Sequence, residues 1–99
     1  MKIIWSPLAI DRAAEAARFI AADDLSAAAR WVDGLFQAVS KLERHPVIGK
    51  AVPELNRPSI RQIFYRSHRV IYRIGASAID ILTVRHTRRR FDPGEIPKQ

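Results

Sequence analysis

The stretch HRVIYRIGASAIDILTVRHTRRRF, residues His68–Phe91, decides the fold. It contains two runs rich in β-branched residues, Val70–Ile74 and Ile79–Val84, and Gly75–Ser77 separates them. Such runs on either side of a short glycine-containing turn predict a β-hairpin. The second run leads directly into a cluster of cationic residues, which are Arg85, His86, Arg88, Arg89 and Arg90. The stretch therefore predicts a rigid sheet that presents positive charge at one end.

The net positive charge lies in the second part of the chain. Residues 1–44 contain six Lys/Arg and six Asp/Glu, whereas residues 45–99 contain eleven Lys/Arg and four Asp/Glu and so carry the whole net charge of +7. This asymmetry favours a nucleic acid or an acidic protein as partner. The absence of cysteine excludes disulfides, zinc–thiolate sites and cysteine nucleophiles. No apolar run approaches the ~20 residues of a membrane span, so we expect no membrane partner.

The N-terminal half predicts one strand followed by two helices. Ile3–Trp5 predicts a short opening strand. Ser6-Pro7 predicts a helix start, because the serine hydroxyl can accept from an early backbone N–H and proline suits the first helical position. We predict one helix over residues 7–22 and, after an N-cap at Asp23-Asp24, a second over residues 25–44. The linker is so short that the helices form an antiparallel hairpin.

The second predicted helix has an apolar stripe that indicates its buried face. The stripe recurs at spacings of three and four residues and comprises Leu25, Ala28, Val32, Leu35, Val39 and Leu42. A neighbouring stripe contains Trp31 and the small residues Ala27, Gly34 and Ala38. A glycine inside a helix costs ~1 kcal/mol relative to alanine. We therefore expect the first helix to approach the second closely at Gly34.

The remaining segments predict a loop and a three-stranded meander. Residues 45–59 contain three prolines and a glycine and predict a loop, in which we expect Glu54 to be simply solvated. Ile60–Tyr65 predicts a strand, and a tight turn at Ser67-His68 leads into the hairpin, so we expect His68 to be exposed. Three strands joined by short turns form an antiparallel meander.

These elements predict an α+β fold with the order β-α-α-β-β-β. A helical hairpin packs on one face of a small, mostly antiparallel sheet. The first strand is left open between parallel and antiparallel pairing. We expect a single domain over residues 1–92 and a mobile C-terminal tail over residues 93–99, which contains two prolines and a glycine.

Six short pieces of sequence span most of the chain and point to a known family. They are WSPLAID at 5–11, L-x-x-H-P-x-x-G at 42–49, PEL at 53–55, Arg61 near a strand start, RVIYRI at 69–74 and ILTVRHTRR at 81–89. No piece is specific alone, but together and in this order they resemble the RelE/ParE superfamily of toxins from bacterial type II toxin–antitoxin pairs. The six pieces are spread over residues 5–89 and so span most of the chain.

The resemblance implies a small cytoplasmic toxin that an antitoxin neutralises by wrapping around it. For a toxin with a net charge of +7, we expect the cognate antitoxin to be acidic and the pair to form a hetero-oligomer. We expect no metal and no cofactor. Two activities occur in the superfamily. RelE-like members cut messenger RNA in the ribosomal A site, and ParE-like members inhibit DNA gyrase.

A RelE-like endonuclease is one interpretation of the basic C-terminal part. Metal-free RNA cleavage needs a base for the 2′-hydroxyl, an acid for the leaving oxygen and cations for the charged phosphorane. His86 is the candidate acid or base, because histidine titrates near neutral pH. Arg61, Arg85 and Arg88 are candidates for a phosphate clamp, with Lys50 in the neighbouring loop.

The end of the hairpin favours the ParE-like interpretation instead. RelE-like nucleases usually carry a tyrosine or a His-Tyr pair near the C-terminus, where this chain has RRRF at residues 88–91, and phenylalanine cannot transfer a proton. They also tend to have several lysines in the central loop, where Lys50 stands alone. We therefore favour a gyrase inhibitor that is not an enzyme. Its predicted target-binding residues are Arg85, His86, Arg88, Arg89, Arg90 and Phe91.

A plain basic nucleic-acid-binding module is a third interpretation. The sequence contains neither a recognition-helix signature nor a Gly-aromatic RNA-binding motif. The second predicted helix has only Arg30, Lys41 and Arg44 as basic residues, too few to read a groove. We therefore rank this interpretation behind the two toxin activities.

Overall fold

A five-stranded mixed sheet carries two helices on one of its faces. The computed structural model describes residues 1–98. The elements are β1 (Lys2–Trp5), α1 (Pro7–Ala21), α2 (Leu25–Ser40), β2 (Lys50–Ala51), β3 (Ile60–Tyr65), β4 (His68–Ile74) and β5 (Ala78–His86), with 3₁₀ turns at Lys41–Glu43 and Pro93–Glu95. The predicted α+β class, with its helical hairpin on a mostly antiparallel sheet, is confirmed.

The strand order β1-β5-β4-β3-β2 puts the first and last strands side by side. β2 to β5 pair antiparallel, and β1 pairs parallel to β5 with Lys2 opposite Ala78 and Trp5 opposite Ile81. The pairing that the sequence left open is therefore parallel. β2 is a two-residue strand inside the segment that we predicted to be entirely loop, and it extends the sheet beyond β3.

Both helices begin at the predicted caps. The Ser6 hydroxyl accepts from the Ala9 N–H at 3.0 Å, and the Asp24 carboxylate accepts from the Ala27 N–H at 3.0 Å. These side chains satisfy backbone donors that have no partner inside a helix. The predicted end of the second helix is wrong, because α2 ends at Ser40 and tightens into the 3₁₀ turn, which keeps Leu42 buried.

The core between α2 and the sheet is built around Trp31, Leu35 and Val39. Trp31 is only 4% exposed, whereas Leu25, which we placed on the buried stripe, is 77% exposed. The buried face of α2 is therefore rotated towards the stripe that contains Trp31. The sheet contributes its own buried side chains to this core, which are Val70, Tyr72, Ile79, Ile81 and Val84.

Gly34 accommodates a strand and not the first helix. A Cβ atom at this position would lie 2.2 Å from the hydroxyl oxygen of Tyr65, which donates to the Trp31 carbonyl at 2.8 Å. Tyr65 comes from β3, so the expected close approach of α1 at Gly34 is wrong. The glycine instead lets an aromatic side chain of the sheet reach the backbone of α2.

We predict that Gly34→Ala lowers the free energy of unfolding by about 1–2 kcal/mol, because overpacking outweighs the gain in helix propensity. Urea unfolding measures the change. In a Tyr65→Phe background the same substitution should cost clearly less, since the clashing hydroxyl is gone. A stabilisation of the wild-type background by Gly34→Ala would contradict the role assigned to this contact.

The opposite face of the sheet has a smaller apolar core of its own. It consists of Val52, Ile60, Ile71, Leu82 and Ile96, and Leu55 and Phe91 pack against it. Ile96 belongs to the segment that we expected to be mobile. Its side chain is 6% exposed, and the Arg57 guanidinium donates to the Pro97 carbonyl. The mobility of residues 93–99 stays a prediction, and Gln99 lies outside the described residues.

Candidate target-binding surface

A β-bulge in β5 aims the side chains at the end of this strand. Ile71 pairs with Thr83 while the next residue, Tyr72, pairs with Ile81, so Leu82 is the extra residue. Residues three apart in a regular strand point to opposite faces. Because of the bulge, Ile81 and Val84 both belong to the core under the helices. The same shift directs Thr83 and Arg85 towards the C-terminal segment.

Three exposed arginines follow β5 on a turn that the backbone fixes. The Thr87 N–H donates to the Ser67 carbonyl at 2.8 Å, and the Arg89 N–H donates to the His86 carbonyl at 3.0 Å. The Arg88 N–H donates to His86 Nδ1, also at 3.0 Å. We name Arg88–Arg90 the arginine loop. Within residues 1–98, none of its guanidinium groups has a hydrogen bond or an ion pair.

Arg85 lies beneath the arginine loop. Its guanidinium donates to Glu95 Oε1 at 2.6 Å and to the Arg90 carbonyl at 2.8 Å, and its side chain is only 12% exposed. This geometry holds the loop against the C-terminal segment. The structure thus separates Arg85 from the three arginines with which the sequence grouped it, and its role in target binding stays a prediction.

Glu95 is a central group of the site that the sequence analysis missed. Its carboxylate accepts from Thr83 Oγ1 at 2.9 Å, from Arg85 at 2.6 Å and from Arg12 of α1 at 2.7 and 2.9 Å. Burial alone would raise the pKa of Glu95, but hydrogen bonds from Arg85, Arg12 and Thr83 together outweigh it and hold the pKa below its usual value. One buried carboxylate thus joins α1, β5 and the C-terminal segment.

Phe91 is half-buried against the outer apolar core. The Arg69 guanidinium lies 5.4 Å from its ring centroid and also donates to both carboxylate oxygens of Glu54, at 2.9 and 3.0 Å. The hydrogen bonds from Arg69 hold the pKa of Glu54 below its usual value. The expectation that Glu54 is simply solvated is therefore wrong. Phe91 is placed to anchor the loop, and its predicted contact with a target stays a prediction.

His68 and His86 meet on the helix side of the sheet. They pair across β4 and β5 with ring centroids 5.2 Å apart, and His68 also contacts the Trp31 ring at 5.1 Å. Burial is the larger cause that lowers the pKa of His68, and electrostatic interaction with the nearby His86 lowers it further. The prediction of an exposed His68 in a turn is wrong. The turn is made by Arg66 and Ser67, and Arg66 has a positive φ of 51°.

Of the candidate nuclease residues, Arg88 lies beside His86, whereas Arg61 and Lys50 lie elsewhere on the sheet. Through the register, His86 faces His68 and His68 faces Tyr65, so Arg61 lies four residues further along β3 and two strands away, roughly 16 Å from His86. Arg61 donates to the Gly49 carbonyl at 2.9 Å and so holds the loop before β2. Lys50 lies on β2, another strand away, and is exposed.

Neither tyrosine offers a free proton donor beside His86. Tyr72 is fully buried, and its hydroxyl donates to the Pro46 carbonyl at 2.7 Å while accepting from the Gly49 N–H at 3.0 Å. Burial raises the pKa of this hydroxyl. Tyr65 donates to Trp31, as described above. Both tyrosines therefore hold the sheet to the helical layer and to the loop before β2.

A comparison of the sequence with models of protein families identifies the family of the chain. A family model described as the ParE toxin of the type II toxin–antitoxin system parDE matches residues 3–91. The chain belongs to the ParE toxin family. It is therefore the toxin of a type II toxin–antitoxin system, which implies an antitoxin as its partner. No curated protein sequence matches the chain significantly.

Solved structures of similar fold come from related systems. The chromosomal ParDE toxin–antitoxin system of P. aeruginosa superposes with a TM-score of 0.73 at 17% identity, covering 87% of this chain and 95% of the other. A YoeB/ParE toxin from Agrobacterium tumefaciens has a TM-score of 0.61 at 19% identity, covering 87% and 98%. The YoeB dimer from Staphylococcus aureus gives 0.58 at 19% identity, covering 87% and 95%. These similarities support the fold.

Two kinds of site are absent from residues 1–98. No group of three or more histidine, aspartate or glutamate side chains is placed to hold a metal ion. No helix in this range combines the length and the apolar character that crossing a membrane requires.

We predict that Glu95→Gln lowers the free energy of unfolding by about 2 kcal/mol at pH 7, because the largely buried Arg85 guanidinium and the partly exposed Arg12 guanidinium lose a charged partner. The folded pKa of Glu95 lies below the usual 4.5. Its stabilising contribution is therefore present above that value and is lost as the pH falls through the lower folded pKa. Urea unfolding at pH 7 and at acidic pH should show a smaller acid-dependent loss for the variant than for the wild type.

Glu15→Gln provides the matched control for this measurement. Glu15 pairs with Arg12 at 2.9 Å, as Glu95 does at 2.7 Å, but its side chain is 47% exposed. Exposed pairs of this kind contribute little, so the control should change the free energy of unfolding by less than about 0.5 kcal/mol. Equal effects of the two substitutions would contradict the central place given to Glu95.

Proposed function

We propose that this ParE-family toxin inhibits DNA gyrase and that the arginine loop is its main contact surface. The observation that carries the proposal is a fixed turn with three guanidinium groups that have no partner among residues 1–98. Guanidinium groups bind phosphates and carboxylates bidentately, and gyrase bound to DNA offers both. Because the backbone of the turn is already held by hydrogen bonds, it needs no further ordering on binding, which favours a binding inhibitor.

The proposed activity is inhibition by binding, without catalysis. RNA cleavage needs an acid and a base on opposite sides of the reacting phosphate. Near the arginine loop, the rings of His68 and His86 lie against each other, with centroids 5.2 Å apart, and so do not flank a phosphate. Arg61 and Lys50 lie towards the other edge of the sheet. The RelE-like endonuclease remains the alternative that the first experiment below separates. A plain nucleic-acid-binding module is a weaker alternative for a chain of this family.

We also propose that the antitoxin is acidic and that the two proteins form a hetero-oligomer in the cytoplasm, where gyrase acts. The net charge of +7 supports an acidic partner. Exposed apolar side chains on the helical hairpin support an interface there. Phe19 is 84% exposed, Leu25 77% and Ile10 54%. Apolar side chains of this size gain most from a partner that removes them from water.

Induction of the toxin without its antitoxin distinguishes the two activities. We expect early loss of plasmid supercoiling or DNA breaks while bulk translation continues. Purified toxin should also inhibit the supercoiling reaction of purified gyrase. Rapid loss of translation with cuts inside messenger RNA codons, and no effect on gyrase, would overturn the gyrase proposal in favour of the RelE-like alternative.

We predict that Arg88→Glu/Arg90→Glu raises the toxin concentration needed for half-inhibition of gyrase at least tenfold, because it reverses two exposed charges of the arginine loop. Arg30→Glu/Arg44→Glu is the matched control. It makes the same change in net charge at two exposed arginines elsewhere, and it should remain within about twofold of the wild type. If both variants lost inhibition equally, the effect would come from net charge and not from the arginine loop.

A further inference from the structure

The C-terminal half of β5 has an open edge next to α1. β1 pairs with β5 only from Ala78 to Ile81, so within the described residues 1–98 the segment 82–86 has no strand neighbour on that side. The Ser6 N–H donates to the Ile81 carbonyl at 3.0 Å and the Ser6 hydroxyl to the Leu82 carbonyl at 2.9 Å. The chain then turns into α1. A cleft of about 430 Å³ remains between α1 and the end of β5, and we name it the β5 cleft.

The walls of the β5 cleft are largely apolar. Ala16, Phe19 and Ile20 line it from α1, and Val84 lines it from β5. Phe19, at 84% exposed, is the most exposed large apolar side chain among residues 1–98. Aromatic side chains that flank a concave apolar surface are typical anchors of protein interfaces. The cleft is therefore shaped to take at least one apolar side chain of a partner.

The rim of the β5 cleft is positively charged. Arg12, Arg85 and Arg89 line it, together with His68, His86 and a single acidic residue, Glu15. Glu95 already accepts from Arg12 and Arg85, so much of their charge is neutralised within the fold. Arg89 has no ion-pair partner in the described chain, and His68 Nδ1 is buried without a hydrogen-bond partner. The remaining charge favours a carboxylate.

We infer that the β5 cleft binds an extended acidic segment of the antitoxin as an added strand beside residues 82–86. One apolar side chain of the segment packs against Phe19 and Ile20, and one carboxylate pairs with Arg89. A strand supplies the backbone partners that an open sheet edge lacks, whereas a helix satisfies its own. Residues 82–86 extend about 16 Å, enough for four or five residues of a partner strand. The inference rests on the proposed acidic antitoxin.

The test titrates the antitoxin encoded beside the toxin gene into four purified toxin variants by calorimetry. We expect Phe19→Ala and Arg89→Glu each to raise Kd at least tenfold. Phe64→Ala and Arg44→Glu are the matched controls, because both side chains are exposed and neither lines the cleft. The controls should stay within about twofold of wild type. Phe19 is so exposed that its removal leaves the fold intact, which circular dichroism verifies.

Hydrogen–deuterium exchange tests the added strand itself. Binding should slow exchange in peptides covering residues 82–86 at least fivefold and leave those covering residues 60–65 unchanged. Failure of wild-type toxin to bind would overturn the antitoxin proposal and this inference together. Binding that all four variants retain would overturn the cleft alone. Weaker binding of Phe19→Ala and Arg89→Glu without protection of residues 82–86 would overturn the added strand.

Discussion

The extra residue at Leu82 is the constraint on which the rest of the structure depends. β5 lies between β4 and β1, and its side chains contribute to both the helix-side core and the core on the outer face. Without the bulge, the regular alternation of side chains along a strand would point Val84 to the other face of the sheet from Ile81. With it, Val84 stays in the core, and Thr83 and Arg85 reach Glu95. A one-residue irregularity therefore connects the hydrophobic layer to the polar network.

Glu95 divides the basic residues into two groups with different physical roles. Arg12 and Arg85 bring positive charge close together, and one buried carboxylate pairs with both guanidinium groups and compensates half of this charge. The arginine loop lies just beyond this network and keeps its charge facing solvent. Arg85 donates both to Glu95 and to the Arg90 carbonyl, so the buried network around Glu95 also positions the backbone of the arginine loop. This arrangement explains how three adjacent like charges can be kept on a fixed turn.

Sequence reasoning succeeded where local signals and tertiary packing agree. β3 matched its predicted bounds, because an alternating run lies between a proline-rich loop and a turn. Both helix starts were predicted by side chains that cap their own backbone. The failures depend on contacts distant in sequence. Gly34 fits Tyr65, which is 31 positions away, and Glu95 meets Arg12, 83 residues away. Hydrophobic periodicity carries no information about such pairs.

The same limit applies to the candidate surface. The run of cationic residues in the sequence identified the region. It could not distinguish Arg85, which is paired with Glu95, from the solvent-facing Arg88, Arg89 and Arg90. Phe19 was a second omission, because the apolar pattern of α1 does not reveal which members remain uncovered. Whether these side chains are covered depends on where β1 stops along β5. These two strands come from opposite ends of the chain. The β5 cleft could therefore be found only in the folded structure.

Arg89 connects the two proposed surfaces and gives neutralisation a direct physical route. Its guanidinium belongs to the arginine loop and also lines the β5 cleft. A carboxylate bound there removes one of three exposed charges and covers part of the loop from the side. Electrostatic attraction to an anionic target falls with each charge lost. An antitoxin segment in the cleft would thus weaken target binding even if it left Arg88 and Arg90 in contact with water. Steric exclusion by the rest of the antitoxin would add to this effect.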